Sequence, residues 1–200
     1  MNKNEKLKAI RDYVSGIFED DATGHDFFHM QRVAEAAGKI AEKEGANLFI
    51  SKAAAWVHDI GDTKLSDDPD EDKRELQTFF LSISCTAEEI ALITEAARDV
   101  SFSKGKVPQS LEGKVVQDAD RLDALGAVGI ARTFAYGGAK GQLIWHDQNK
   151  EGTSIQHFYD KLLKLKGLLN TASAAEIAEE RHLFLEQFLS QFFEEWQSQT

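Results

Sequence analysis

The chain has 200 residues, of which 42% are hydrophobic and 28% are charged. This composition excludes bulk disorder, and the length suffices for one domain of ordinary size with a packed core. The formal net charge of -11, from 23 basic and 34 acidic residues, argues against nonspecific binding to nucleic acid or to anionic membranes. The single cysteine, Cys85, excludes an internal disulfide and a zinc site built from several thiolates.

The N-terminal segment MNKNEKLKAIRDYV lacks the apolar run of a signal peptide. Nowhere in the chain do about eighteen apolar residues follow one another, as a transmembrane helix requires. We therefore expect a cytoplasmic protein that does not enter the membrane.

Apolar residues recur at steps of three and four along most of the chain, and this spacing predicts an all-α fold. Thr86 and Glu89 predict a capping box at the start of one helix, and Ser173 with Glu176 suggests a second one. No internal repeat or domain boundary is evident. The predicted helices cover residues 5–19, 26–44, 48–61, 87–98, 110–135, 153–169 and 173–197. A further helix is predicted to start within residues 66–72, and a glycine-bearing loop precedes residue 153.

The placement of the six histidines is the most informative feature of the sequence. His25 and His29 are four residues apart and share one face of a helix. His58 and Asp59 end an otherwise apolar helix, where a polar pair is costly to bury without a partner. A divalent cation would offset the desolvation of such groups, and two imidazoles with two carboxylates leave coordination positions open for catalysis. A later helix supplies three further carboxylates: Asp118, Asp120 and Asp123.

Each of these signals has an ordinary explanation when it is taken alone. A His-Asp dipeptide is frequent, and a histidine pair at i,i+4 is often incidental. The order of the elements favours a metal, because a histidine on one helix is followed by His-Asp at the end of the next helix and by aspartates on a later one. We predict one divalent metal cation, and the ligand types admit Mn, Mg, Fe, Ni or Co.

Three segments, FFHMQRVAEAA, WVHDIGD and QDADRLDALGA, resemble in this order the H…HD…D pattern of the HD superfamily of metal-dependent phosphohydrolases. Small bacterial HD hydrolases of about this length are similar over residues 20–195, including GTSIQHFYDKLLKL and AEERH. The resemblance implies a single HD-type helical domain over residues 1–200, with a metal-binding core at about 20–135 and C-terminal helices at 153–197 packed on it. The metal ligands that it implies are His29, His58, Asp59 and Asp120.

The fourth ligand remains open between two aspartates. The segment Ala119–Leu122 matches the family's A-D-x-L element and selects Asp120, whereas the apolar arc of this helix does not favour it. Asp118 is therefore the second candidate, and since residues two apart on a helix point about 200° apart, we do not expect both to bind one ion. Arg32 is predicted to pair with a carboxylate such as Asp118 or Asp123.

Two residues near the predicted metal are candidates for proton transfer. Asp62 follows Asp59 by three residues, where several HD hydrolases carry an acidic residue near the attacking water, and it is the candidate general base. Its alternative role is to stabilise the turn beside Gly61. His25 is a candidate general acid or phosphate donor, and it is equally consistent with a partner of a metal ligand or with an exposed residue at a helix start.

Basic side chains on two segments are candidates for binding substrate phosphates. Lys64 lies just past the HDIGD motif, and His157, Lys161 and Lys164 fall on one arc of the helix SIQHFYDKLLKL. Such a strip in an acidic protein can hold phosphates. A solvated charged face is the alternative for all four residues.

These residues together predict a metal-dependent phosphohydrolase whose partner is a phosphorylated small molecule. The resemblance implies a nucleotide substrate, with nucleoside triphosphate cleaved to monophosphate and pyrophosphate. The alternatives are a phosphohydrolase of nucleoside monophosphates or of cyclic or signalling nucleotides, and a nucleotide sensor that binds metal without catalysis. The Phe-rich last helix is compatible with a homodimer.

Overall fold

Every regular element in the described residues, which are 1–18, 25–62 and 66–197 of a computed structural model, is helical. This confirms the predicted all-α, single-domain fold. Within this part of the chain, no helix has both the length and the apolar character that crossing a bilayer requires. The α-helices are α1 (Lys3–Phe18), α2 (Phe27–Glu44), α3 (Leu48–Val57), α4 (Pro69–Ser82), α5 (Ala87–Arg98), α6 (Leu111–Asp123), α7 (Gly126–Ala139), α8 (Ser154–His157), α9 (Leu163–Leu165) and α10 (Ala172–Gln197). A π-helical turn (Phe158–Leu162) joins α8 to α9, and short 3-10 turns cover Phe102–Lys104 and Lys166–Leu168.

Side-chain caps determine where several helices begin. Asp26 precedes α2 and accepts a hydrogen bond from the backbone N–H of His29 at 2.7 Å. The predicted capping box of Thr86 and Glu89 is present at the start of α5, and Ser110 caps α6 through its hydroxyl. Each cap satisfies backbone donors that the helix itself leaves open, a contribution of about 1 kcal/mol.

Helix α3 lies at the centre of the core because nearly all of its side chains are apolar. Its residues from Ala53 to Val57 are at most 6% exposed. Helices α1, α2, α5 and α6 pack around it, and α10 packs on α7, α6 and α2. The two residues that follow α3, His58 and Asp59, therefore lie in the interior beside α2 and α6.

The chain between α3 and α4 turns sharply at Gly61. The helix ends at Val57 rather than at Gly61, and a hydrogen-bonded turn carries the backbone from Asp59 to Asp62. Gly61 has a φ of 72°, and a Cβ atom there would lie 2.9 Å from the carbonyl oxygen of Pro69. Only glycine combines this backbone conformation with so close an approach.

The prediction of one continuous helix over 110–135 is wrong, because the structure divides this segment into α6 and α7. Leu125 is extended, with φ -105° and ψ 156°, and Gly126 has a φ of 73°. Neither conformation continues an α-helix. Helix α7 then extends to Ala139 and takes in the first two glycines of the predicted loop.

The capping box suggested at Ser173 is wrong, since this residue lies inside α10 and donates its backbone N–H to Glu44 Oε1 at 2.7 Å. The start of α10 is instead held by Asp118. Its carboxylate accepts hydrogen bonds from the backbone N–H and the side chain of both Asn170 and Thr171. Carboxylates from α2 and α6 thus serve the N-terminal donors of α10, where negative charge is favoured.

Candidate metal centre

Four side chains from three parts of the chain meet where α2, α6 and the end of α3 converge. His29 lies in the first turn of α2, His58 and Asp59 directly follow α3, and Asp120 lies on α6. His29 Nε2 is 3.7 Å from Asp59 Oδ2 and 3.6 Å from Asp120 Oδ1. His58 Nε2 is 3.3 Å from Asp59 Oδ1 and 3.8 Å from Asp120 Oδ1.

The inward-facing nitrogens of both histidines are buried without a hydrogen-bond partner among the described residues. These atoms are His29 Nε2 and His58 Nε2, although buried polar atoms in proteins are rarely left unpaired. Their other ring nitrogens are engaged, since His29 Nδ1 lies 2.8 Å from Asp123 Oδ2 and His58 Nδ1 lies 2.8 Å from the carbonyl oxygen of Ala55. An ionised carboxylate and a carbonyl only accept, so each imidazole donates from Nδ1, and in its neutral form it presents a lone pair at Nε2. Metal-binding histidines are oriented in this way.

The separations within the cluster suit a single divalent cation. Ligand atoms bound at about 2.1 Å to one ion lie about 3.0–3.4 Å apart when they are neighbours and about 4.2 Å apart when they are opposite. The four nitrogen–oxygen distances, from 3.3 to 3.8 Å, fall within these bounds. His29, His58 and Asp120 offer ligand atoms that all lie within 4.8 Å of one another, as do His25, His29 and Asp59. The residues present therefore fit a metal ion, and neutral imidazole with carboxylate is a ligand set that divalent transition metals accept.

The cluster is open to solvent on one side. The side chains of His29 and His58 are 0% and 2% exposed, whereas that of Asp120 is 25% exposed. His25, which contacts Asp59, is 34% exposed. The cluster is therefore accessible from the side on which Asp120 and His25 lie.

The electrostatics of the cluster favour bound positive charge. Burial lowers the pKa of His58, but the charges of Asp59 and Asp120 outweigh it and raise this pKa to about 9. Burial raises the pKa of both carboxyls, but the adjacent histidines reverse the effect: the pKa of Asp59 falls well below its usual value, and that of Asp120 falls to about 2. Two ionised carboxylates in a largely buried site require a compensating cation, which a proton or a metal ion can supply.

Asp123 connects the cluster to two arginines. Besides His29, it binds Arg32 Nε at 2.7 Å and Arg132 Nη1 at 2.8 Å. Burial raises the pKa of Asp123, but the hydrogen bonds from His29 and Arg32 hold it well below its usual range. The predicted pairing of Arg32 with a carboxylate of this helix is thus confirmed. The sequence did not indicate the pairing of Arg132 with Asp123, because Arg132 lies on α7, beyond a helix break that was not predicted.

The structure gives Asp118 and Asp120 different surroundings. Asp118 is fully buried and its oxygens are occupied by Asn170 and Thr171 at the start of α10. Burial raises the pKa of Asp118, although these hydrogen bonds oppose the shift. Asp120 faces His29 and His58 instead. Asp118 therefore serves the packing of α10, and Asp120 is the aspartate that lies in the cluster.

The two candidates for proton transfer lie close to the cluster in different ways. His25 Nδ1 is 3.0 Å from Asp59 Oδ2, so this histidine contacts a carboxylate of the cluster. Its ring lies edge-on to that of His29, with centroids 5.5 Å apart. Asp62 follows in the turn after Asp59, and its backbone N–H donates to the carbonyl of Asp59 at 3.1 Å; it is half-buried.

The candidate phosphate-binding residues do not belong to the cluster itself. Lys64 lies outside the described residues. His157 ends α8, Lys161 lies in the π-helical turn and Lys164 lies in α9, where His157 and Lys164 are exposed. Partial desolvation of the imidazole and the charge of Lys161 lower the pKa of His157, and Lys161 Nζ lies 5.4 Å from the centre of the Phe102 ring. His157 therefore lies near Lys161, and within the described part of the chain no hydrogen bond or ion pair joins His157 or Lys164 to the cluster.

A helical domain with two inward-facing imidazoles and two carboxylates around one point defines a protein able to hold a metal ion between its helices. The family model named HD domain matches residues 26–125, and the chain belongs to this family. The matched residues contain α2 to α6 and all four members of the cluster.

Known proteins resemble this chain over nearly its whole length. The uncharacterized protein YpgQ of Bacillus subtilis (strain 168) is 44% identical over 195 residues, which are 96% of this chain and 94% of that protein. The crystal structure of YpgQ in complex with ADP has a TM-score of 0.85 at 40% identity and covers 98% of this chain and 97% of that chain. An HD-superfamily hydrolase from Bacillus thuringiensis has a TM-score of 0.81 at 43% identity, with 98% and 99% covered. The protein is thus a member of the HD-superfamily hydrolases.

Proposed function

We propose that this protein is a metal-dependent phosphohydrolase that cleaves nucleoside triphosphates to nucleoside monophosphate and pyrophosphate. The observation that carries the proposal is the pair of buried, unpartnered nitrogens, His29 Nε2 and His58 Nε2, aimed at the ionised carboxylates of Asp59 and Asp120. The complex of YpgQ with ADP supports a nucleotide as the ligand of this centre, because that protein shares the fold and 40% of its residues.

His29, His58, Asp59 and Asp120 would hold the divalent cation. When bound, such an ion supplies Lewis-acid chemistry, polarising the phosphoryl group and making water more acidic. Asp123 keeps His29 in the tautomer that presents Nε2, and the carbonyl of Ala55 does the same for His58. The residues that hold the metal are thereby fixed before substrate arrives.

Asp62 accepts a proton from the attacking water, whose oxygen forms a bond to the α-phosphorus while the bond from that phosphorus to the bridging oxygen breaks. The electron pair of the broken bond leaves with pyrophosphate. His25 lies on the open side of the cluster and donates to a phosphoryl oxygen from there. The basic residues Lys64, His157, Lys161 and Lys164 would bind the phosphates, because local positive charge in an acidic chain attracts anions.

The proposal is tested on protein stripped with chelator and then supplied separately with Mn, Mg, Fe, Ni or Co. Nucleoside triphosphates, monophosphates and cyclic nucleotides are offered to each form, and phosphate and pyrophosphate are measured separately. We expect pyrophosphate from triphosphates and no release of phosphate. The variant Asp120→Asn should lose turnover, whereas Asp12→Asn, a matched change on the exposed face of α1, should retain it.

Phosphate release from monophosphates, or opening of a cyclic phosphodiester, would move the assignment to the alternative hydrolase. Tight metal and nucleotide binding with no turnover of any compound would identify a sensor. Unchanged turnover in Asp120→Asn would refute the assigned centre.

A further inference from the structure

A cavity of about 420 Å³ lies outside the metal centre. It is bounded by the loop after α7, by α8 with its π-helical turn, and by the C-terminal end of α10. None of its lining residues belongs to α2, to α6 or to the segment that follows α3, which carry the metal cluster. The lining residues are Trp145, Asp147, Lys150, Gln156, Tyr159, Phe193 and Trp196.

Aromatic rings form most of the wall of this cavity. Trp145 is 9% exposed and packs edge-to-face on Phe193, with ring centroids 5.2 Å apart. Trp196 is stacked on Phe192 and Tyr159 stands at the rim, and both remain about two-fifths exposed, at 39% and 41%. Large rings left partly in water next to a cavity offer flat apolar faces to a planar ligand.

One carboxylate fixes the geometry of the two tryptophans. Trp145 Nε1 donates to Asp147 Oδ1 at 2.9 Å, and Trp196 Nε1 donates to the same oxygen at 3.2 Å. This pairing joins the loop to the end of α10 and sets the two indoles around the cavity in advance of any ligand. The other oxygen, Asp147 Oδ2, has no hydrogen-bond donor among the described residues and can accept from a ligand.

The charges of the cavity restrict the class of ligand. Lys150 Nζ lies 5.2 Å from the centre of the Trp145 ring, so a cation already covers that face and a cationic ligand is disfavoured. The same ammonium can bind an anionic group, while Asp147 can bind an N–H edge. A planar ring with N–H donors on one side and an anionic group on the other matches this arrangement.

We propose that this cavity is an accessory site for a purine nucleoside phosphate. The base stacks on the exposed indole of Trp196, its N–H edge donates to Asp147 Oδ2, and its phosphate binds Lys150. Guanine offers two adjacent N–H donors on its base-pairing edge, so it binds in preference to adenine, which offers one amino group. The site shares a ligand class with the proposed function but not its residues, and it does not depend on catalysis at the metal centre.

Calorimetric titration of the full chain in EDTA tests the site, with GMP, AMP, guanosine and ribose 5-phosphate as probes. We expect one saturable site per chain, with GMP bound more tightly than AMP or guanosine. Trp196→Ala should weaken GMP binding about tenfold or more, which is the range of base–aromatic stacking. Asp147→Asn should abolish the preference for GMP over AMP, and Lys150→Ala should reduce GMP to the affinity of guanosine.

Matched variants separate these effects from general damage and from the metal centre. Phe184→Ala removes an exposed ring of α10 outside the cavity, and Lys140→Ala removes a lysine that lies over Tyr136; both should bind GMP normally. Asp120→Asn should also bind GMP normally. Absent binding of GMP, or binding that Trp196→Ala and Asp147→Asn leave unchanged, or binding that only Asp120→Asn abolishes, would overturn the accessory site. Hydrolysis measured on the metal-loaded protein is a separate readout, so failure of the proposed function would appear there without loss of GMP binding in EDTA.

Discussion

His29 and Asp123, 94 residues apart in the chain, are joined by a buried contact of 2.8 Å between Nδ1 and Oδ2. While it is ionised, the Asp123 carboxylate can only accept, so His29 is the donor; His29, Arg32 and Arg132 keep this carboxylate ionised. The tautomer of a proposed metal ligand is thus determined by a side chain that itself lies outside the set of four.

Replacing Asp123 with Asn should weaken metal binding by about 10–100-fold, the usual effect of losing a partner of a ligating histidine. An amide can turn its NH2 group toward His29 and so favour the wrong tautomer. Metal affinity is measured by competition with a chromophoric chelator. Asp12→Asn is the control, and equal affinities in Asp123→Asn and the parent protein would contradict the assigned role of Asp123.

Replacing Asp62 with Asn should lower turnover by about 10²–10⁴-fold, as expected for loss of a general base. Because Asp62 is not among the proposed ligands, metal affinity should stay within about twofold. Turnover and metal binding are measured on the same preparation. Asp67→Asn, an exposed aspartate in the same connection, should behave as the parent protein. A fall in metal affinity parallel to that in turnover would make Asp62 a ligand instead of a base.

Replacing Gly61 with Ala should destabilise the protein by about 1–3 kcal/mol. Alanine is strained at this positive φ, and its methyl group would also lie too close to the carbonyl oxygen of Pro69. The turn after Asp59 would shift, so metal affinity should fall as well. Urea unfolding gives the free energy of unfolding. Gly105→Ala has a similar φ of 61° but open space around the added methyl group, so it should cost less and leave metal binding intact. If both variants lose the same stability, the close approach at Gly61 contributes nothing.

Replacing Glu44 with Gln should remove a stabilising effect that depends on pH. Hydrogen bonds from Ser173 lower the pKa of Glu44 below its ordinary value of 4.5. A carboxyl whose pKa is lower in the folded state stabilises the fold above its unfolded pKa, and this contribution is lost as pH falls through the folded pKa. Urea unfolding should therefore show Glu44→Gln less stable than the parent protein at pH 7, with the gap narrowing as the pH falls below about 4.5. Glu42→Gln, exposed on the same helix, should show no such trend.

Local signals in the sequence predict most of the helices because caps and apolar spacing act over a few residues. The box of Thr86 and Glu89 is an example, and it is present in the structure. The break at Leu125 and Gly126 could not be predicted in this way. A glycine among helix-forming residues does not reveal a positive φ, which here accompanies packing of Gly126 against Arg181.

The cluster of His29, His58 and Asp59 was foreseeable because its members stand in a recognisable order, and their assignment as ligands stays a prediction. The choice between Asp118 and Asp120 could not be made from periodicity, because the apolar arc of the helix did not favour Asp120 and only the family's A-D-x-L element selected it. What separates them is the distant segment at Asn170 and Thr171, which occupies Asp118. Contacts between residues more than fifty positions apart cannot be predicted from local sequence patterns.

The attachment of α10 to α6 has a consequence for truncation. Asp118 and the carbonyl of Leu122, on either side of Asp120, are held by Thr171 and Arg181. A fragment ending at residue 125, where the family match stops, would leave the Asp118 carboxylate and the Leu122 carbonyl without these partners. The C-terminal segment thus holds α6 in place on both sides of Asp120, although it contributes none of the four proposed ligands.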